Sequence, residues 1–158
     1  LGTATANTTA SVPDYRTLNF QSGIAEDTLL YGSIRQADWS NHQVAVAPQT
    51  QAAPTSDFSD STTYTIGIGR KISDQWSATL SYKTEEATDN NGTSLLSPTD
   101  GYEAIGAAAI YTLANGTEIT VGLNYSMLGD KTITTSGVSG LYSDNTVVTS
   151  GIKVAYNF

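Results

Sequence analysis

Cysteine is missing altogether, which excludes disulfides, thiolate metal sites and a cysteine nucleophile. Histidine occurs once, as His42, so any serine–histidine chemistry must use that residue, and no spacing singles out a serine to partner it. Charge is scarce as well. Charged residues make up 14% of the 158, against the roughly 25% usual in soluble domains. Basic residues are the scarcest: 7 Lys and Arg face 15 Asp and Glu, and a net charge of −8 argues against nucleic acid as a partner. No apolar run approaches the ~20 residues of a transmembrane helix, and helical periodicity is hard to find anywhere. Acid pairs such as Asp57/Asp60 and Glu85/Glu86 could hold Ca²⁺ near lipopolysaccharide, but solvated loop acids are the commoner reading, neither stretch has the spacing of an EF-hand, and no metal site is assigned. A cofactor is not expected either, because Gly67-Ile68-Gly69 lacks the third glycine and the following helix of a dinucleotide fold.

What the chain has in quantity is Thr, Ser, Ala, Gly and Tyr, arranged with a period of two. The clearest case is NTVVTSGIKVAYNF at 145–158. Val148, Ser150, Ile152, Val154, Tyr156 and Phe158 fall on one face, and Val147, Thr149, Gly151, Lys153, Ala155 and Asn157 on the other. An apolar face ending on an aromatic suits a strand of a membrane barrel, whose aromatics sit at the lipid–water interface. We assign Ile152, Val154, Tyr156 and Phe158 as the expected barrel assembly signal.

The rest of the chain alternates in the same way. Residues 1–13 read as an exposed loop ended by Pro13, and 14–158 as a single barrel domain. With no signal peptide and a loop-like opening, the chain is expected to begin inside a longer protein. Strands are expected over 14–24, 28–40, 62–73, 76–84, 102–113, 118–128 and 145–158, with a brief extension at Val44–Val46. Leu18 and Phe20 lie opposite Thr17, Asn19 and Gln21. Over 28–40 the facing is argued from charge. Arginine against lipid near mid-bilayer costs about 2–4 kcal/mol, so Leu30, Gly32 and Ile34 point outward and Arg35 and Trp39 inward. Arg70 falls on the apolar side near a strand end, where it can snorkel to the interface. The connections alternate between short (25–27, 74–75, 114–116) and long (41–61, 85–100, 129–144), as in barrels with short inner turns and long outer loops.

These features predict an all-β, antiparallel transmembrane β-barrel segment of about seven to eight up-and-down strands. The inward face is lined by small residues (Gly67, Gly69, Thr79, Ser81, Gly122, Asn124, Gly151), which leave room for a lumen or pack against a plug. Arg35, Lys71, Lys83 and Lys153 are inward cations, able to attract a carboxylate or else be neutralised by Glu118 and other inward acids. Arg35, Trp39, Lys83, Asn124 and Lys153 are the ligand-path candidates, and no catalytic residue is assigned. A small structural or adhesive eight-stranded barrel is the alternative, distinguished by whether the first and last strands pair. A soluble β-sandwich fits the alternation alone.

Several stretches together resemble the outer-membrane long-chain fatty acid and hydrophobic-compound (toluene-type) transporter family. They are LNFQSGIAEDTLLYGSIRQADWS at 18–40, YTIGIGRKISDQWSATLSY at 64–82, SPTDGYEAIGAAAIYTLANGTEITVGLNYSMLGD at 97–130 and DNTVVTSGIKVAYNF at 144–158. The resemblance rests on their order, not on any one motif. It implies the carboxy-terminal portion of a fourteen-stranded barrel in the bacterial outer membrane, without the family's amino-terminal hatch. It also implies passive uptake of hydrophobic molecules such as long-chain fatty acids. The partners it implies are outer-membrane lipid, lipopolysaccharide and the barrel assembly machinery.

Overall fold

A computed structural model describes residues 8–46, 56–89 and 91–156, and they contain strands but no helix. In chain order the strands are β1 (Thr8–Thr9), β2 (Tyr15–Ala25), β3 (Thr28–Ala37), β4 (Ala45–Val46), β5 (Ser61–Lys71), β6 (Trp76–Glu85), β7 (Asn91–Gly92), β8 (Tyr102–Thr112), β9 (Glu118–Leu128), β10 (Lys131–Thr135), β11 (Val138–Tyr142) and β12 (Thr146–Ala155). The seven long ones form one sheet in the order β2-β3-β5-β6-β8-β9-β12, every pair antiparallel and every neighbour the next long strand in the chain. This is an up-and-down meander.

Because direction alternates, the short connections (26–27, 72–75, 113–117) gather at one end of the sheet and the long ones (38–60, 86–101, 129–145) at the other. The short turns have local causes. Gly116 adopts φ +82° and closes the Ala114-Asn115-Gly116 turn, where the Leu113 amide donates to the Thr117 carbonyl at 2.8 Å. At 73–75 the Ser73 hydroxyl accepts from the Trp76 amide at 3.1 Å.

Residues paired directly across two strands point to the same face, so the register tests the expected facing. One cross-strand row reads Leu30–Ile68–Leu80–Ala107–Leu123–Ser150, and the next on the same face Phe20–Gly32–Ile66–Tyr82–Ile105–Tyr125–Val148. The apolar sets expected from each strand separately thus fall on one face of one sheet, including Leu30, Gly32 and Ile34 on β3. That face is uncovered. Leu18, Ile66, Leu80, Ile105, Leu123 and Ile152 are all exposed, Leu123 by 59% and Ile152 by 76%. Among the described residues the buried apolar side chains are Pro13, Ala37, Ala104 and Ile133. Among the described residues no second layer packs on the sheet, so they do not form a sandwich.

Two glycines on the sheet are roofed by an aromatic from the neighbouring strand. Phe20 lies over Gly32 on the apolar face, and Tyr31 lies over Gly67 on the opposite face, where its hydroxyl meets Thr79 Oγ1 at 2.7 Å. A side chain at either glycine would displace the ring.

The sheet is open. Every residue of β2 is exposed, as is nearly all of β12, and the two edge strands do not pair with each other. With seven alternating strands the edges also run in the same direction, so they cannot close antiparallel on one another.

Some elements differ from expectation. β3 ends at Ala37 and not at Ser40: the Asp38 amide turns back to the Asp14 carbonyl at 2.9 Å and the chain then bends through residues 39–42. The 1–13 segment holds the two-residue β1, which pairs with β4 at the expected Val44–Val46 extension. The third long connection contains a hairpin, β10–β11, whose turn residues Ser136 and Gly137 sit at φ 51° and 77°. Phe158 and Asn157 lie outside the described residues, while Ile152 and Val154 stand on the apolar face of β12 and Tyr156 just beyond it.

Candidate functional site

The face opposite the apolar one is small and polar through its centre. Gly67, Thr79, Ser81, Gly106, Gly122, Asn124 and Thr149 share it, and all of these but Gly67 line a shallow trough. Asn124 lies between Gly106 and Thr149, and its Nδ2 donates to Ser126 Oγ at 2.8 Å.

Two cations on this face, Arg35 and Lys83, stand over aromatic rings. Arg35 stands 4.6 Å from the centroid of the Tyr15 ring, and Lys83 Nζ 6.0 Å from that of Tyr102. Lys153 projects from the edge strand opposite Thr120. Among the described residues the ion pair within 4 Å joins Lys71 to Asp74 at 2.8 Å, at the short-turn end. Neutralisation of Arg35, Lys83 and Lys153 by Glu118 or other inward acids is therefore not made. Asp74 sits below the usual carboxylate range because the Lys71 ammonium donates to it and adds its charge.

At the long-loop end of the polar face the three long connections border a half-open cavity of about 250 Å³. Its floor is the row Glu85–Tyr102–Leu128, the last residues of that face on β6, β8 and β9. One wall is aromatic. Gln43 clamps the backbone of Phe58, accepting from its amide at 2.9 Å and donating to its carbonyl at 2.7 Å, and the Phe58 ring then meets Trp39 edge-on at 5.5 Å between centroids. Beside that wall, Asp60 Oδ1 accepts from the Ser40 amide at 2.8 Å. That backbone bond, with the Ser40 hydroxyl, holds the Asp60 carboxyl below the usual carboxylate range.

The far wall is built where the second and third connections cross. The Gly129 amide donates to the Gly101 carbonyl at 3.0 Å, and a Cβ at Gly129 would run into the Asp100 carbonyl. Gly101 is confined twice over, by φ +70° and by the Glu85 carbonyl 2.6 Å from where a Cβ would stand. Asp100, 8% exposed, is fully engaged by the amides of Thr88 and Asp89 and the Thr88 hydroxyl. Lys131 crosses over Gly92, whose missing side chain makes room for its Cε, and ends 3.5 Å from Ser97 Oγ. It is 3% exposed.

Of the ligand-path candidates, the structure brings only Trp39 into this cavity, with Lys83 placed against its floor through Tyr102. Arg35, Asn124 and Lys153 are spread over the polar face. Lys131, Asp100, Gly92 and Gln43 carry no periodic pattern and escape a sequence reading; Ser136-Gly137, as a hairpin turn, is the one local clue that the third connection is ordered.

The single histidine does find a serine: Ser11 Oγ lies 2.8 Å from His42 Nδ1. The pair is exposed, no described carboxylate orients the ring, and it lies outside the cavity. A nucleophile needs a base that a third group holds in place. Among the described residues no group of three or more His, Asp or Glu is placed to hold a metal ion. No protein-family profile matches the chain, and no curated protein matches it significantly.

Proposed function

We propose that the chain is a section of a bacterial outer-membrane β-barrel that takes up hydrophobic molecules passively, with long-chain fatty acids as the favoured cargo. One observation carries the membrane half of this reading. A single seven-stranded sheet has one continuous exposed apolar face, bordered by Trp76, Tyr111 and Tyr156 at the short-turn end and Tyr64, Tyr82 and Tyr125 toward the loops. Water on that face would be costly, and exposed patches far smaller than this mark interaction sites in soluble proteins. A lipid slab satisfies it, and the 10 or 11 residues of each long strand match the ~9–11 needed to cross one.

The transport half rests on the resemblance of the sequence to the fatty acid and hydrophobic-compound transporters, supported by a polar face of small side chains that leaves space. Within this reading the protein does no covalent chemistry, and its partners are membrane lipid, lipopolysaccharide, the assembly machinery and the cargo. The eight-stranded structural barrel is the weaker reading, because the described residues place seven strands in the sheet and β2 and β12 do not pair. An antiparallel barrel completed from this sheet takes an odd number of further strands, a condition that totals of eight and fourteen both meet.

The test is uptake. The full-length protein is reconstituted into vesicles that hold a fatty-acid-responsive fluorophore, and oleate is added outside. Faster entry than into empty vesicles supports transport. Insertion without faster entry leaves the structural barrel in its place.

A further inference from the structure

We propose that the cavity at the loop end is a binding site for a saccharide ring. The proposal does not rest on the transport reading, and the ligand is of a different class from the hydrophobic cargo.

Lys131 is the first ground. The residue is 3% exposed and lines the cavity, and its ammonium carries three donors, of which, among the described residues, it uses one, on Ser97 at 3.5 Å. A buried ammonium with donors to spare is expensive unless something accepts from it. The bare glycine beneath it, Gly92, holds it in that position.

The other walls select among ligands. An anionic ligand would meet Lys131, but also Asp60, Glu85, Glu86 and Asp100, four carboxylates against one ammonium. Like charges disfavour it. An alkyl chain would strip water from those same groups without replacing its hydrogen bonds. A hydroxyl-rich ring meets neither objection, since each hydroxyl both donates and accepts. Glu86 makes no hydrogen bond within the described chain, and Glu85 has committed only Oε2, to Thr63 at 2.7 Å, so acceptors are free for the ring's hydroxyl hydrogens. Lys131 and Ser97 supply the donors. The Trp39–Phe58 wall offers the apolar surface that the C–H face of a sugar covers. The volume of about 250 Å³ suits one ring, not a polymer.

Trp39 and Trp76 are the two tryptophans of the 158 residues, so in this chain Trp76→Phe leaves one indole, at the cavity wall. The full chain with this substitution is held in a zwitterionic detergent, because a maltoside headgroup would itself fill the site. It is titrated with glucose, galactose, mannose and N-acetylglucosamine, with dodecanoate as the anionic chain. We expect a saturable change in Trp39 emission with at least one sugar, at a Kd on the order of 1 mM. Lys131→Met and Glu86→Gln should each weaken it about tenfold, the loss of one charged hydrogen bond. Glu86 is exposed and unbonded, so its variant leaves the fold intact. The proposal is overturned by the absence of any saturable sugar response, by saturation with dodecanoate alone, or by wild-type sugar affinity in the Glu86→Gln protein.

Discussion

Leu123→Arg and Asn124→Arg, adjacent on β9, separate a lipid-facing sheet from a water-facing one. Leu123 lies on the apolar face, 59% exposed, between Ala107 and Ser150 in the central row of the band. Two more apolar residues follow it toward each end of the strand on that face, Val121 and Ile119 one way and Tyr125 and Met127 the other. At about 3.3 Å per residue, the nearer border is about 13 Å away, beyond easy reach of an arginine head. Its neighbours are too small to shelter a guanidinium. At mid-bilayer the substitution should cost about 2–4 kcal/mol, a 30- to 900-fold fall in the folded-to-unfolded ratio. Asn124 points to the polar face, and its replacement forfeits one 2.8 Å bond to Ser126, about 0.5–1.5 kcal/mol. In water the ranking reverses, because an exposed Leu123 would accept arginine within about 0.5 kcal/mol. The measurement is equilibrium urea unfolding from phosphatidylcholine vesicles, followed by tryptophan emission. Equal costs at the two positions, or a neutral Leu123→Arg, would refute the facing and the membrane with it.

Three further outcomes follow from particular contacts. Gly129→Ala drives a Cβ into the Asp100 carbonyl, so the crossing of the second and third connections should open, exposing Trp39 to a soluble quencher while the strand signal in circular dichroism persists. Asp60 is held below the usual carboxylate range by the Ser40 amide and hydroxyl, so its folded form favours the ionised state. Its contribution is present above the ordinary aspartate pKa of about 3.9 and is lost as pH falls through the lower folded value; Asp60→Asn should abolish the acid-dependent change in Trp39 emission below about pH 4, and a transition unchanged by that substitution would count against it. Deleting Phe158 should block assembly of the parent protein into the outer membrane, read as loss of surface display, whereas normal display would remove the terminal aromatic from the assembly signal.

The strands were legible because the period-2 pattern is a local property. On β9, Ile119, Val121, Leu123, Tyr125 and Met127 identify their face without reference to any other strand, and the register joins them to the faces read elsewhere. β3 was harder, since Leu29 and Tyr31 compete with Leu30 and Ile34. The cost of lipid-facing arginine at Arg35 decided it, and Tyr31 has its own task over Gly67. The cavity was not legible, apart from Trp39. Lys131 finds Ser97 34 positions away, Thr93 finds Asp57 36 positions away, and Gln43 holds Phe58 across 15. Contacts of that kind leave no period in the chain. They are set by where the strands deliver the loop ends, which only the assembled sheet determines.

The apolar band is not level with the cross-strand rows. On β3 and β5 the band starts at Leu30 and Ile68, with Thr28 and Arg70 already polar one row nearer the short turns, and it reaches Ile34 and Tyr64. On β6 and β8 it starts lower, at Trp76 and Tyr111, and it stops at Tyr82 and Ile105. Thr84 and Glu103 occupy the row that Tyr64 fills on β5. The shift does not continue across the sheet: on β9 Met127 is apolar in the row of Thr84 and Glu103, and two positions beyond Arg70 the exposed Ile72 is apolar again. The borders therefore step between neighbouring strands and keep no single slope. Arg70 shares a row with Ala78, Ala109 and Val121, so it is one cation among apolar neighbours near the short-turn end. The parallel sense of β2 and β12 adds a constraint of its own, since the sheet closes antiparallel only around an odd number of additional strands.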